Sequence, residues 1–309
     1  MKNSKQNMMK MLPALAVSLL MAGMFAGCGG ADVAKESVPA STVSASAKAE
    51  ANESKASDVQ KGAPMEQLQT TTYEVNGVAF KMVLVEGGTF RMGSDDRNVE
   101  FSESPAHNVT LTKDYLIGET EVTQALWNAV TGRSTSKSKS TLPQTSVTWE
   151  DAHAFVDRLN EIAHAQGIIA PSQSFCLPTE AQWEYAAKGG NKSKGYRYSG
   201  SNDINDVAVT RENSGSDHPS NVKTKRPNEL GLYDMSGNAY EWVDDYAGSY
   251  SAEDQVDPQN TTPSGRYVKR GGSNYHRFGD ESYLFTTTGR YFYGSTDWTI
   301  GFRLALVNK

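Results

Sequence analysis

The residues in this chain whose types could do chemistry are few, and they gather toward the C-terminus. His276 and Glu281 lie in a loop-forming stretch after Arg270-Gly271-Gly272-Ser273. An imidazole beside a carboxylate is the pairing used for general acid–base steps, and two such residues in a polar segment also suit an ordinary solvent-facing role. Ser273 belongs to a turn motif and has no identifiable base or orienting acid, so serine hydrolysis has no support. Cysteine occurs twice, as Cys28 and Cys176, which excludes a disulfide-rich scaffold and a multi-thiol zinc site. Cys176 directly precedes a helix start and reads as a small buried apolar side chain. His107, His153, His164, His218 and His276 are scattered, with no two at the helical spacing of a local metal pair.

The elements that must position these residues occupy only part of the 309-residue chain, whose apolar fraction of 38% is lean for a wholly folded protein. A net charge of -6 without a concentrated basic face excludes a nucleic-acid partner. Lys2, Lys5 and Lys10 precede an apolar run over 11–26 that ends in Phe25-Ala26-Gly27-Cys28. The run is short for a membrane span, and the sequence before Cys28 resembles a bacterial lipobox. That resemblance implies a signal peptide over 1–27, acylation of Cys28, and attachment to the cell-envelope membrane through the lipid anchor. Gly29-Gly30 after the cysteine suits passage to the outer membrane and surface exposure. From 29 to about 69 the chain is low-complexity Ala, Ser, Lys, Glu and Val, without aromatic residues, and reads as a tether. The domain boundaries are therefore 1–27, 28–70 and 71–309.

Within the last segment, 78–85 reads as a strand, Gly87-Gly88 as a tight turn and 89–93 as its hairpin partner. Thr123 should cap a helix over 124–131 that Gly132 ends. Thr148, with Asp151 three residues on, should cap a second helix whose apolar stripe is Ala152, Phe155, Val156, Leu159, Ile162 and Ala163. His153, beside that stripe, reads as a partly buried, hydrogen-bonded histidine. Pro178-Thr179, with Gln182, opens a third helix that stops at Gly189-Gly190. The remainder is rich in turn formers and aromatics, which gives an α+β class with long irregular loops that pack on a scaffold.

Several ordered segments together resemble the sulfatase-modifying-factor family, typified by the formylglycine-generating enzyme. They are 83–94, Glu119-Thr120-Glu121-Val122-Thr123, 177–187, 228–242, Arg270-Gly271-Gly272-Ser273 and Gly301-Phe302-Arg303. The resemblance implies a C-type-lectin-like fold, with a small twisted antiparallel sheet and a few helices supporting long loops. It also implies a structural calcium site at Asp234, Gly237, Ala239 and Glu241, an all-oxygen set suited to a hard cation. The oxidase members carry two thiols at the positions occupied here by His276 and Glu281. Neither side chain replaces a soft thiolate, so no copper is expected and catalysis of that type is disfavoured.

What remains is a surface suited to contact. Asn274, Tyr275, His276, Arg277, Phe278, Asp280, Glu281, Tyr283, Tyr291, Tyr293, Asp297 and Trp298 are the candidate ligand-binding residues. Tyrosine and tryptophan among small polar neighbours give a large amphipathic contact area at low entropy cost, and about half of the segment's rings should be core. The segment is also similar to the variable regions of target proteins of diversity-generating retroelements. These share the fold, end soon after Gly-Phe-Arg, and are diversified at adenines. From 274 to 299 only Glu281 and Trp298 fall outside the residue set reachable from Asn codons. The expectation is a surface lipoprotein binding an unknown protein or glycan. The alternatives are a divergent oxidoreductase or other enzyme of this fold, and a structural lipoprotein of an envelope secretion or gliding machine.

Overall fold

The computed structural model describes residues 68–96, 101–133, 141–277, 279 and 281–309. Every described residue lies within the unit 62–309. The signal peptide, Cys28 and the tether lie outside the described residues, as do Phe278 and Asp280.

Two strands open the domain, β1 (Thr70–Val75) and β2 (Val78–Val85), joined by Asn76-Gly77 with both residues at positive φ. A two-residue loop of this type matches the twist of the strands it joins, and it sets the register Val75↔Val78. The Gly87-Gly88 step is where the expectation fails. β3 (Gly88–Met92) does not fold back on β2 but pairs with β4 (His107–Leu111) in a separate sheet. Gly87 makes the switch possible: its N–H donates to Asp114 at 2.8 Å, and a Cβ there would lie 2.6 Å from the Leu111 carbonyl oxygen. The glycine pair is a kink between sheets, and hydrophobic alternation on both sides cannot distinguish that from a hairpin.

The five-stranded antiparallel sheet runs β1-β2-β5-β12-β6, with β5 (Tyr115–Gly118), β6 (Gln173–Cys176) and β12 (Ala305–Asn308), so the chain's last strand sits inside it. A second sheet, β3-β4-β8, takes β8 (Gln255–Val256) in parallel on β4. The third runs β10-β9-β7-β11, from β7 (Tyr240–Tyr246), β9 (Tyr267–Arg270), β10 (Arg290–Tyr293) and β11 (Ile300–Phe302).

The helices form where the local signals place them. Helix α1 (Gln124–Thr131) is capped by Thr123 and closed by Gly132 in the left-handed region. Helix α2 (Trp149–Ala165) has the Thr148–Asp151 capping box, and α3 (Glu180–Ala187) the Thr179–Gln182 box. Two single-turn helices, α4 (Ile204–Val207) and α5 (Arg211–Ser214), add to the three expected. Along α2, Ala152, Phe155, Val156, Leu159 and Ala163 are buried, in a core that also holds Trp127, Phe175, Trp242 and Phe302. A second core, around Trp183, Tyr185, Val243 and Val268, lies on the opposite side of the third sheet. The whole is an α+β fold of the C-type-lectin-like kind, in which modest sheets and short helices carry long, ordered loops.

Candidate functional site

The third sheet positions the candidate residues, and its register decides which face each takes. Trp242, Lys269 and Tyr291 form one cross-strand row, and Glu241, Arg270 and Arg290 form the adjacent row. Side chains alternate across a strand, so these rows point to opposite faces.

The second row builds a buttress of buried charge. Arg270 donates to the Thr288 and Gly289 carbonyls at 2.8 and 2.6 Å and pairs with Glu184, which also accepts from Lys188 at 2.6 Å and from the Gly93 N–H at 2.8 Å. Burial opposes ionisation of Glu184, yet Lys188 and Arg270 together hold its carboxyl below the ordinary range. Arg290 grips Glu180 with two bonds of 2.8 and 2.6 Å and satisfies the Ser102 and Gly248 carbonyls. Arg303, from Gly301-Phe302-Arg303, makes a bidentate pair with Glu241, both bonds at 2.6 Å, and binds the Gly118 and Tyr233 carbonyls at 2.9 Å. Trp183 Nε1 donates to the same Glu241 at 2.7 Å, so that carboxylate is fully engaged.

This bears on the calcium expectation. Asp234 is buried at φ +58°, Gly237 turns at φ +83°, and Ala239 is buried. Asp234 Oδ2 accepts from the Lys223 N–H at 2.8 Å, while Asp234 Oδ1 is buried without a hydrogen-bond partner. Burial pushes the Asp234 carboxyl up to about 6, against the Lys223 N–H and Arg303. Beside it lies Glu121, which the motif reading did not single out as a ligand. Glu121 Oε1 accepts from Asn238 at 3.0 Å, Oε2 is a second partnerless buried oxygen, and burial and then Asp234 raise its carboxyl well above normal. Glu121 and Asp234 lie within hydrogen-bond reach of each other, so the pair can share a proton or, with both ionised, offer oxygens to a hard cation, and Glu121 is better placed to offer one than Glu241, whose oxygens belong to Arg303 and Trp183. No three Asp, Glu, His or Cys side chains converge as a ready cage among the described residues.

The first row faces the other way: Trp242 fills the first core, and Lys269 lies under an aromatic platform. Tyr275, Trp298 and Tyr293 are exposed by 44%, 37% and 36%, and these are three of the five large apolar side chains exposed among the described residues. Tyr275 and Trp298 meet edge-on at 5.3 Å, and His218 and His276 flank the pair, 5.2 Å from Trp298 and 5.4 Å from Tyr275. His276 also lies 5.6 Å from Tyr240, which contacts Tyr291 at 5.8 Å. Arg211 lies over Tyr275 at 5.7 Å. Arg277 is exposed at the rim, while Tyr283 and Tyr291 are half-buried and pack against a small third core around Phe285.

Asn274 is the exception among the expected contact residues. It is wholly buried and donates to the His218 carbonyl, tying the loop down from beneath. Nor do His276 and Glu281 form a hydrogen-bonded pair: Nδ1 and Oε1 are 3.6 Å apart, and Glu281 instead accepts from the Arg277 N–H at 2.8 Å. Burial lowers the His276 imidazole pKa, opposed by Glu281. Cys176 is no substitute nucleophile, because burial and then Asp244 push its thiol up to about 12.

Sequence reading missed Tyr240 and Lys269, which line the platform floor. They lie outside the loop segment, and only strand register brings them under it. Arg290, inside the segment, turns out to be buttress. His153 is partly buried as expected and packs at a tilt on Trp149, ring centroids 3.8 Å apart; its Nε2 lies 3.0 Å from Asp244 Oδ1 without the alignment of a hydrogen bond.

A lectin-like domain with Arg-Gly-Gly-Ser and Gly-Phe-Arg tied into one buried charge network defines the class. Residues 69–307 match the sulfatase-modifying factor enzyme 1-like domain, and the chain belongs to that family. It is 33% identical over 207 residues to a protein of Paenibacillus barcinonensis named chaperone protein LppX, covering 53% of this chain and 71% of that one. The formylglycine-generating enzyme of Streptomyces coelicolor is 37% identical over 112 residues, which span 31% of this chain and about a third (35%) of the enzyme. Among solved structures, Treponema denticola variable protein 1 superposes with a TM-score of 0.65 at 29% identity, covering 79% of this chain and 99% of its own.

Proposed function

We propose that the chain is a lipid-anchored binding protein displayed on the bacterial envelope, with the platform around Tyr275, His276, Tyr293 and Trp298 as its ligand surface. The observation that carries this is the replacement of both family thiol positions by His276 and Glu281 within a patch of exposed aromatic rings. Isolated exposed rings are common, but the touching exposed pair Tyr275 and Trp298, joined to exposed Tyr293 through His276, Tyr240 and Lys269, marks an interaction site. The likeness to a variable protein supports diversification of this segment by a retroelement, and the likeness to a protein named a chaperone supports a polypeptide as ligand. Calcium held by Asp234 and Glu121, with the Gly237 and Ala239 carbonyls, would pin the loop under the platform as a structural ion.

The decisive experiment has two arms. Surface labelling of cells should detect the chain and lose it when Cys28→Ser removes the acylation site. Incubation of the purified chain with a sulfatase cysteine peptide and copper should leave the cysteine unchanged. Conversion to formylglycine would overturn the binding reading in favour of a divergent oxidase.

A further inference from the structure

At the centre of the platform floor is a lysine that the surrounding protein leaves incompletely bonded. Lys269 Nζ lies 3.9 Å from the Tyr240 ring centroid and 4.7 Å from that of Tyr293, with its side chain 11% exposed. The two ring faces stabilise its charge, and Nζ makes no hydrogen bond to a side chain or carbonyl of the described residues. Its carboxylate neighbour, Asp297 Oδ2, is 3.8 Å away, beyond hydrogen-bond length. Asp297 is held there by other work: Oδ1 accepts the Thr299 N–H at 2.7 Å and the Thr299 hydroxyl, closing a tight turn. Glu281, the other acid of the platform among the described residues, accepts from the Arg277 N–H. The contrast with Arg270, Arg290 and Arg303, each with several short bonds, is a contrast in remaining capacity.

We infer that Lys269 is the anchor for a carboxylate on an acidic peptide segment, received over the ammonium beside the exposed Tyr293 ring while neighbouring apolar groups of the peptide lie on Tyr275 and Trp298. Lys269 keeps only narrow access to water, and a charge-assisted bond formed in an aromatic surround is among the stronger polar contacts. Arg211 over Tyr275 adds a second cation at the rim and draws the same kind of partner. Lys269 belongs to β9, before the Gly-Gly turn that leads into the loop segment. The anchor therefore belongs to the scaffold, and the loop side chains around it select which acidic segment fits. Burial lowers the lysine's pKa and Asp297 opposes this, so an incoming carboxylate favours the charged form the anchor needs.

The inference rests on the platform being the ligand surface, and the test separates the two. A random-peptide phage library is selected on the full chain in detergent, with parallel selections on Lys269→Met, Lys269→Arg and a Tyr275→Ala/Trp298→Ala double variant, each checked for an unchanged thermal transition. Recovered peptides should carry an Asp or Glu beside an aromatic or aliphatic residue, and their amidated counterparts (Asn or Gln) should bind about tenfold more weakly. Lys269→Met should erase that acidic preference, and Lys269→Arg should keep it. Peptides without acidic preference, or with the same preference on Lys269→Met, overturn the anchor while leaving the platform standing. Binding that survives the Tyr275/Trp298 double variant unchanged overturns the platform itself. Failure to enrich peptides, together with binding of a polyuronate over a neutral glucan, overturns the assignment to a peptide.

Discussion

The two faces of the third sheet are one residue apart in register and opposite in design. On one, Glu241, Arg270 and Arg290 lead into a network in which nearly every charged atom has a protein partner. On the other, Trp242 fills the first core and donates to the Val147 carbonyl, while Lys269 beside it lies among rings, with hydrogen-bonding capacity that the described protein groups do not fill. Saturated charge fixes geometry and has nothing left to offer a ligand. Unsaturated charge among exposed rings contributes little to stability and much to recognition. The family's Arg-Gly-Gly-Ser and Gly-Phe-Arg motifs therefore read as a scaffold specification: their arginines hold the sheet rigid from behind, so the loops in front can change composition.

The comparison breaks if the buttress proves dispensable. Arg303→Met leaves Glu241 buried with only Trp183 as a side-chain partner, and removing one member of a buried pair typically costs about 3–5 kcal/mol. That is a large share of a domain's total stability, so urea unfolding should show a midpoint collapse or no folded protein. The double variant Glu241→Gln/Arg303→Met removes the stranded charge and should recover a substantial part of the loss, measured by the same transition as a coupling energy.

A smaller effect tests the buttress through pH. Asp245 accepts the Glu180 N–H at 2.7 Å and the Asn260 N–H at 2.6 Å, but burial and then Glu180 push its carboxyl up to about 7. Its folded pKa is raised, so between its unfolded value near 4 and about 7 the folded state holds the proton that the unfolded state releases. Stability therefore falls as pH rises through that window, by roughly 1.4 kcal/mol per pH unit at most. Asp245→Asn cannot accept both N–H groups equally and should be less stable at pH 4. Its deficit should narrow toward pH 7, read from paired denaturant curves.

Next in size is the cap that aims the buttress. Thr179 accepts the Gln182 N–H and starts the helix that carries Glu180 and Glu184. Thr179→Ala should cost about 1 kcal/mol in thermal or urea unfolding. A cost near that of Arg303→Met would mean that the helix, not the charge network, is the limiting element.

Caps of this kind were the most legible part of the sequence. Thr123 with Gly132, Thr148 with Asp151 and Thr179 with Gln182 are each satisfied within a few residues, so local spacing suffices to place them. Sheet pairing was not legible at Gly87-Gly88, because a kink and a hairpin share the same glycines and differ only in distant partners, Leu111 and Asp114. That Tyr275, Tyr293 and Trp298 would stay exposed was legible from composition. Lys269, Tyr240 and Glu121 were not, since nothing near them in the chain shows what strand register and burial later bring alongside. Asn274 erred in the opposite sense: a polar type in a loop segment gives no sign that it will be buried and bonded inward.

The smallest stability effect should come from the platform, and it sharpens the contrast most. Trp298 and Tyr275 are more than a third exposed, and their main ring contacts are with each other and with His218, His276 and Arg211. Truncating an exposed side chain that fills no core typically changes stability within about 0.5 kcal/mol. Tyr275→Ala and Trp298→Ala should therefore leave the unfolding transition nearly in place, whereas aromatic anchors of an interface commonly account for 2 kcal/mol or more of binding, roughly thirtyfold in affinity. Measured on the same preparations against a selected peptide, the pair should abolish binding without touching the fold, the inverse of Arg303→Met. A loss of stability comparable to the cap variant would show that the rings are part of the scaffold after all, and that the two faces divide their labour less cleanly than their bonding suggests.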